Sequence, residues 1–321
     1  DFCLSRGLGD VYKRQVICGS LAFDTIMNFE GQFADQILAD QLHNLNVSFL
    51  VPSLRREFGG CAANIAYGLK LLGGDPLPMA TVGIDGADYV QRLKDLGIGT
   101  DYVREVEGSY TAQALIMNDR QNNQITAFHP GAMSFAHLTV VTAREDVALG
   151  IVSPDGRDAM QQHAQQFKDC GIPFVFDPGQ GLPMFNGQEL RRFVELADWI
   201  TVNDYEGKML CERTGLDFAA LSKEVRGLVV TLGGEGCEVW IDGACTRVEA
   251  VQAEAIVDPT GCGDAFRSAL LYGLEREWDL VRAARLGNRV GSIKIATAGP
   301  QNYTLDLHCL LYTSDAADDS L

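Results

Sequence analysis

Apolar positions along the chain follow two spacings in turn. Val16-Ile17-Cys18, Leu77 to Val82, Leu149 to Val152, Pro173 to Phe176, Trp199 to Val202 and Leu228 to Leu232 are short, nearly unbroken apolar runs. Runs of that length between glycines or polar residues predict strands buried on both faces. Between them, apolar residues recur every third or fourth position. Ala62, Ile65, Ala66, Leu69 and Leu72 form one such stripe, opened by Gly59-Gly60 and stopped by Gly73-Gly74. Tyr89 to Leu96, the stretch after Asp264, and Leu280 to about Ala296 read the same way. This alternation predicts an α/β protein with a mostly parallel sheet between helices.

Two segments interrupt the pattern. Thr111 to Met117 and Gln124 to Phe128 alternate as strands and are joined by a polar turn, Asn118 to Asn123, so they predict a hairpin. The text from Ile26 to Leu50 is mixed, although Leu45, Val47, Phe49 and Val51 alternate as a strand would. Together these pieces, about 26–51 and 105–130, predict a small separate sheet acting as a lid. Cys237 to Ile241 and Thr246 to Val248 flank Asp242-Gly243, a second hairpin signal. With no internal repeat and no long linker, residues 16–305 read as a single domain. Residues 1–15 and 306–321 lack a packing pattern and read as non-native or disordered tails.

Charge narrows the function classes. The 321 residues carry a formal net charge of -17, which disfavours nucleic acid as a partner. Any bound nucleotide must then be held by backbone amides, a divalent metal or a few placed side chains. No apolar run reaches membrane-spanning length, so no membrane partner is expected. Nine cysteines stand without a Cys-x-x-Cys pair or a zinc-like histidine spacing. They read as small buried residues of a cytoplasmic protein.

The stretch richest in chemistry is Asp258-Pro259-Thr260-Gly261-Cys262-Gly263-Asp264, followed by a helical stripe. A glycine loop entering a helix leaves backbone N–H groups unpaired and aimed together, which favours an anion. Asp264 has two readings there. It caps the helix, or it accepts a proton from a hydroxyl attacking a bound phosphate. Asn203-Asp204-Tyr205-Glu206 follows a strand end and also reads two ways. It is a capping box, or a sparse carboxamide and carboxylate pair facing a hydrated Mg²⁺. Thr231-Leu232-Gly233-Gly234-Glu235-Gly236 ends the next strand with room for a phosphate or base, or is a plain turn. Asn64, beside Gly59-Gly60, solvates a helix start or bonds a ligand hydroxyl. Asp24 is placed in the loop after the first strand. Walker A, Gly-x-Gly-x-x-Gly, His-Glu-x-x-His and Gly-x-Ser-x-Gly patterns are all missing from the sequence.

The Asp258–Asp264 stretch resembles the second signature of the ribokinase-like (PfkB) sugar and nucleoside kinases. Gly59-Gly60-Cys61-Ala62-Ala63-Asn64 is similar to their first signature, and Asn203 to Glu206 to their Asn-x-x-Glu motif. The family commonly has Thr where Pro259 stands and Ala where Cys262 stands. The resemblance covers about Val16 to Leu305 and implies a three-layer α/β/α fold with a β lid. It implies ATP and Mg²⁺, transfer to a hydroxyl of a small nucleoside or sugar, and a monomer or homodimer. Asp264 would be the general base, and the amides of Gly261, Cys262 and Gly263 the anion hole. At so amide-rich a helix end, Asp264 is expected to ionise without a raised pKa. Asp24, Gly59, Gly60 and Asn64 would hold the sugar. Asn203 and Glu206 would organise the metal, through water. Thr231, Gly233, Gly236 and Asn288 would line the ATP site. Ala34 to Asp40 is similar to a stretch of adenosine kinases, which puts Gln36 and Leu38 near the nucleoside and favours adenosine. Another nucleoside, a ribose- or fructose-like sugar, or a non-catalytic nucleoside-binding role are the alternatives. His129, at a lid strand's end, touches substrate or serves structure.

Overall fold

The computed structural model describes residues 13–37, 46–121, 123–308 and 310. The N-terminal part holds β1 (Arg14–Cys18), β2 (Ala22–Asn28), β3 (Ser53–Gly59), α1 (Cys61–Leu71), β4 (Pro76–Val82), α2 (Ala87–Asp95) and β5 (Val103–Glu105). The hairpin β6 (Ala112–Asn118) and β7 (Gln124–His129) follows. Then come β8 (Val147–Val152), α3 (Arg157–Asp169), β9 (Phe174–Phe176), α4 (Gly187–Leu196), β10 (Trp199–Asn203), α5 (Asp204–Thr214) and α6 (Phe218–Glu224). The chain continues with β11 (Gly227–Thr231), β12 (Cys237–Ile241), β13 (Ala244–Val248), α7 (Cys262–Glu275) and α8 (Leu280–Lys294).

Among the described residues the main sheet has nine strands, in the order β13-β12-β11-β10-β9-β8-β1-β4-β5. Its pairings are parallel except at the β11–β12–β13 edge. The period-2 pleat splits each strand between two cores. Val16, Cys18 and Val230 pack with Phe167, Phe193 and Leu210 from α3, α4 and α5. Ile17, Ile151 and Val175 pack on the other side with Ile65, Leu69 and Ala269 from α1 and α7. Helices therefore cover both faces, as the spacing predicts.

A second sheet of four strands, β3-β2-β6-β7, stands apart from the first. Its fixed end is an aromatic cluster in which Phe23 and Phe58 both meet Tyr89 of α2, at 5.3 and 5.0 Å between ring centroids.

Four expectations need correction here. The alternating text at 45–51 forms no strand over 46–51, and Leu45 lies outside the described residues. The strand is Ser53–Gly59, whose pattern is masked by charged residues because much of β3 faces solvent. Asp24 is inside β2 and not in a loop. The described parts of the supposed tails also contribute, since β1 begins at Arg14 and Leu310 is buried against the second core. The described cysteines are unpaired, but only Cys18 and Cys237 are buried and Cys245 is exposed. No described helix is long and apolar enough to cross a membrane.

Candidate active site

The glycine loop turns sharply at Gly261, whose φ is +79°. A Cβ there would meet Pro300 Cβ at 2.7 Å, so conformation and space both require glycine. Helix α7 starts one residue later than this turn, at Cys262, earlier than the sequence suggests. Asp264 is thus in the first helical turn and makes no capping bond. The Cys262 N–H donates to Pro259 O at 3.1 Å and Ala265 N–H to Gly261 O at 2.9 Å. In this loop the amides of Gly261, Gly263 and Asp264 have no acceptor among the described residues. Of the amides expected to form an anion hole, those of Gly261, Cys262 and Gly263, the turn itself takes the Cys262 donor.

Asp264 Oδ2 accepts from Asn64 Nδ2 at 2.8 Å. The orientation of that carboxamide is set from behind: Gln301 Nε2 donates to Asn64 Oδ1 at 2.9 Å and to Tyr89 OH at 3.0 Å. Gln301 is itself held by Arg92, which donates to its backbone carbonyl at 3.0 Å. Asn64 thus has only its amino group to offer Asp264. Gly60, with φ +89°, lets α1 start against the backbone of the turn between β1 and β2; a Cβ would meet Ser20 O and Ala22 N at 2.6 Å.

Burial pushes the Asp264 carboxyl up to about 6, although Asn64 and the Arg267 guanidinium favour its ionised form. The expectation of an unraised pKa fails because desolvation outweighs the donors. Asp24 is also pushed up to about 6, first by burial and then by the charge of Asp264. These two acids, with Gly60, Asn64 and Gly261, line one cavity of about 510 Å³ at the C-terminal ends of the central strands. Phe128, Ile116 and Thr126 of the small sheet form its roof, and Met133, Pro154 and Met184 an apolar side wall. A broader cleft of about 670 Å³ lies at the opposite, N-terminal ends of β8 and β10 and contains none of the predicted site residues.

Other predicted residues lie outside that cavity. Gly59 flanks it, its carbonyl taking the Tyr89 hydroxyl at 2.5 Å. Gln36 ends a short 3-10 turn near β2 and does not line the cavity; Leu38 lies outside the described residues. His129 ends β7 away from the cavity wall. Asn203 and Glu206 form a reciprocal capping box, each side chain accepting the other's amide at 2.8 Å. Burial, then Asp177, pushes the Glu206 carboxyl up. Thr231 pairs with Asn203 at the neighbouring strand end, and Gly233 and Gly236 follow it in a turn with positive φ. Asn288 of α8 donates to the carbonyls of Val248 and Glu249 at 3.2 and 2.9 Å.

One buried ion pair beside the predicted residues escapes the sequence pattern. Arg267 donates to both carboxylate oxygens of Asp177, at 2.6 and 2.7 Å, and its guanidinium lies 3.9 Å from Glu206. This buried pair links the strand-end set to α7. Asp177 stood in plain view as an acid after an apolar strand, whereas Arg267 looked like one polar residue on a helix. Gln301 carried no signal at all. No group of three or more His, Cys, Asp or Glu among the described residues is arranged to hold a metal. The donors present fit a cation held chiefly by water and phosphate oxygens, not a protein cage.

The family model of pfkB family carbohydrate kinases matches residues 24–306. The chain belongs to this family. As a pfkB-family kinase it takes its phosphoryl group from ATP. The protein is 27% identical over 297 residues to a nucleoside kinase of Methanocaldococcus jannaschii, covering 92% of this chain and 94% of the relative. Among solved structures it resembles a Burkholderia thailandensis nucleoside kinase in complex with inosine, with TM-score 0.85 and 47% identity, over 94% of this chain and 97% of that one. The same kinase in complex with ADP-inosine aligns with TM-score 0.82 and 48% identity, over 94% and 95% of the chains.

Proposed function

We propose that this kinase transfers the γ-phosphoryl group of ATP to the 5′-hydroxyl of a purine nucleoside, adenosine first. The observation that carries this reading is the single cavity onto which Asp24, Asn64, Asp264 and the Gly261 turn all open. Asp24 offers two acceptors side by side, suited to the vicinal 2′- and 3′-hydroxyls of ribose. The apolar wall of Met133, Pro154 and Met184 suits the flat faces of a base. With ribose held at Asp24 and Asn64, the 5′-hydroxyl points toward Asp264.

In the transfer step the 5′-oxygen forms a bond to the γ-phosphorus as the bond from that phosphorus to the β,γ-bridging oxygen breaks. The hydroxyl proton goes to Asp264, and ADP departs with the bridging oxygen. A carboxylate pushed up to about 6 is mainly ionised at neutral pH yet is a better base than an ordinary aspartate. The free amides of Gly261, Gly263 and Asp264 face the charge that gathers on the migrating group. Mg²⁺ bound with the nucleotide would neutralise phosphate charge, held through water by Glu206 and Asn203. Thr231, Gly233, Gly236 and Asn288 frame the ATP side. The four-stranded sheet acts as a lid that excludes water, the competing acceptor.

Inosine is the second reading, favoured by the inosine complex of the Burkholderia kinase. Purified protein with ATP and Mg²⁺ is offered adenosine, inosine, cytidine, ribose and fructose, and ADP release is followed. Highest kcat/KM for adenosine is the expected result, and inosine ahead of adenosine establishes the second reading. Turnover of sugars alone, or tight nucleoside binding with no product, refutes both.

A further inference from the structure

Behind the glycine loop lies a cation to which the chemistry above gives no task. Lys294, the last residue of α8, is 0% exposed. Its Nζ donates to two backbone carbonyls, Asp258 O at 2.7 Å and Thr297 O at 3.2 Å. The Asp258 carboxylate is occupied elsewhere, accepting from Thr260 N at 2.9 Å and Gly299 N at 2.8 Å. The amides of Val257 and Asp258 in turn donate to Ile295 O at 2.9 and 3.1 Å. The end of α8 and the 297–299 turn therefore grip the segment that enters Gly261.

Burial pushes the Lys294 ammonium down from its usual range, while the charges of Asp258, Cys262 and Asp264 favour its charged form. The C-terminal end of α8 favours positive charge at this point. The other buried cation near the site, Arg267, is neutralised by its two bonds to Asp177. Lys294 is hydrogen-bonded only to neutral carbonyls; the Asp258 carboxylate acts on it through space, without a bond between them.

We propose that Lys294 is a positioning residue for phosphoryl transfer: its ammonium clamps the Asp258–Gly261 turn and sets a built-in positive charge behind the Gly261 and Gly263 amides. This rests on the reading of that loop as the transfer centre. It also predicts an effect on Asp264, whose ionised form Lys294 favours. The other groups facing Asp264 are Cys262 and Arg267 of its own helix, Asn64 and Cys61 of α1, and Asp24 of β2. Tyr89 of α2, Asp177 after β9 and Tyr303 complete the set.

Lys294→Met and Lys294→Ala are compared with wild type, with folding checked by circular dichroism and nucleoside binding by calorimetry. A fall in kcat of about tenfold to a hundredfold is expected, with nucleoside KM held within about threefold. The acid limb of the rate profile moves to higher pH in Lys294→Met. Ethylammonium chloride restores turnover to Lys294→Ala, whereas tetramethylammonium chloride, which has no N–H donor, does not. Variants with wild-type kcat and pH limb overturn the proposal. So does lost turnover with neither a pH shift nor rescue, which marks a purely structural lysine. If wild type turns over no nucleoside, the transfer-centre reading falls and takes this inference with it; wild-type turnover matched by the variants sinks this inference alone.

Discussion

Asn64 reaches across 200 residues of sequence to donate to Asp264 Oδ2 at 2.8 Å, joining two glycine-led helix starts over one cavity. That bond leaves Asp264 oriented with its second oxygen available for a hydroxyl. The consequences can be measured.

Asp264→Asn keeps the bond-forming shape but removes the proton acceptor. Steady-state ADP release should fall about 10²- to 10⁴-fold in kcat. Nucleoside affinity by calorimetry should stay close to wild type, since the ribose contacts assigned to Asp24 are intact. Unchanged turnover would show that Asp264 is not the base.

The acid side of the pH profile reports the two carboxylates together. Asp264 and Asp24 are each pushed up to about 6, chiefly by burial, and the charge of Asp264 further raises Asp24. As pH falls through about 6, Asp264 takes up a proton and loses its capacity to accept one, so kcat/KM drops. Asp24→Asn removes the repulsion and should move that midpoint downward, while raising KM for nucleosides that carry both ribose hydroxyls. A profile flat to pH 5 contradicts the assignment.

Asp155 gives a stability prediction on the same cavity wall. It is 2% exposed, and its Oδ2 has no hydrogen-bond partner among the described residues. Burial pushes its carboxyl up to about 8 despite the Gly156 amide. The folded state therefore holds a proton that the unfolded chain releases near pH 4. Stability from this group is complete below that pH and is lost as pH rises through about 8. Thermal melting of wild type should decline between pH 6 and 9 more steeply than that of Asp155→Asn. Parallel melting curves would show that Asp155 ionises without cost.

Gln301→Leu tests the support behind Asn64. It removes donors to Asn64 Oδ1 and Tyr89 OH at a site that is 2% exposed. Unmet buried polar groups should cost about 1–3 kcal/mol in urea unfolding. The Asn64 carboxamide becomes free to flip, and kcat should fall by about tenfold to a hundredfold. Loss of stability with full activity would show that Asn64 needs no such support.

Much of this protein was legible in one dimension. Apolar runs and helical stripes specify the layered sheet because burial on two faces demands them. Gly60 and Gly261 were legible because only glycine tolerates those turns. The hairpin β6–β7 was legible from its alternation, while β3 was not, since exposed arginines hide a strand whose partner is β2. What the chain text could not decide was the balance of terms at Asp264. The local motif argues for an acid whose ionised form the helix-end amides favour; the packing of α1 and α7 around it and the roof formed by the small sheet withdraw water and raise its pKa. Likewise the Cys262 amide looked available until the turn claimed it. Gln301 and Lys294 acquire their roles only where the C-terminal segment folds back beneath the loop. Spacing determines which groups are local neighbours; desolvation and long-range hydrogen bonds exist only once the layers close.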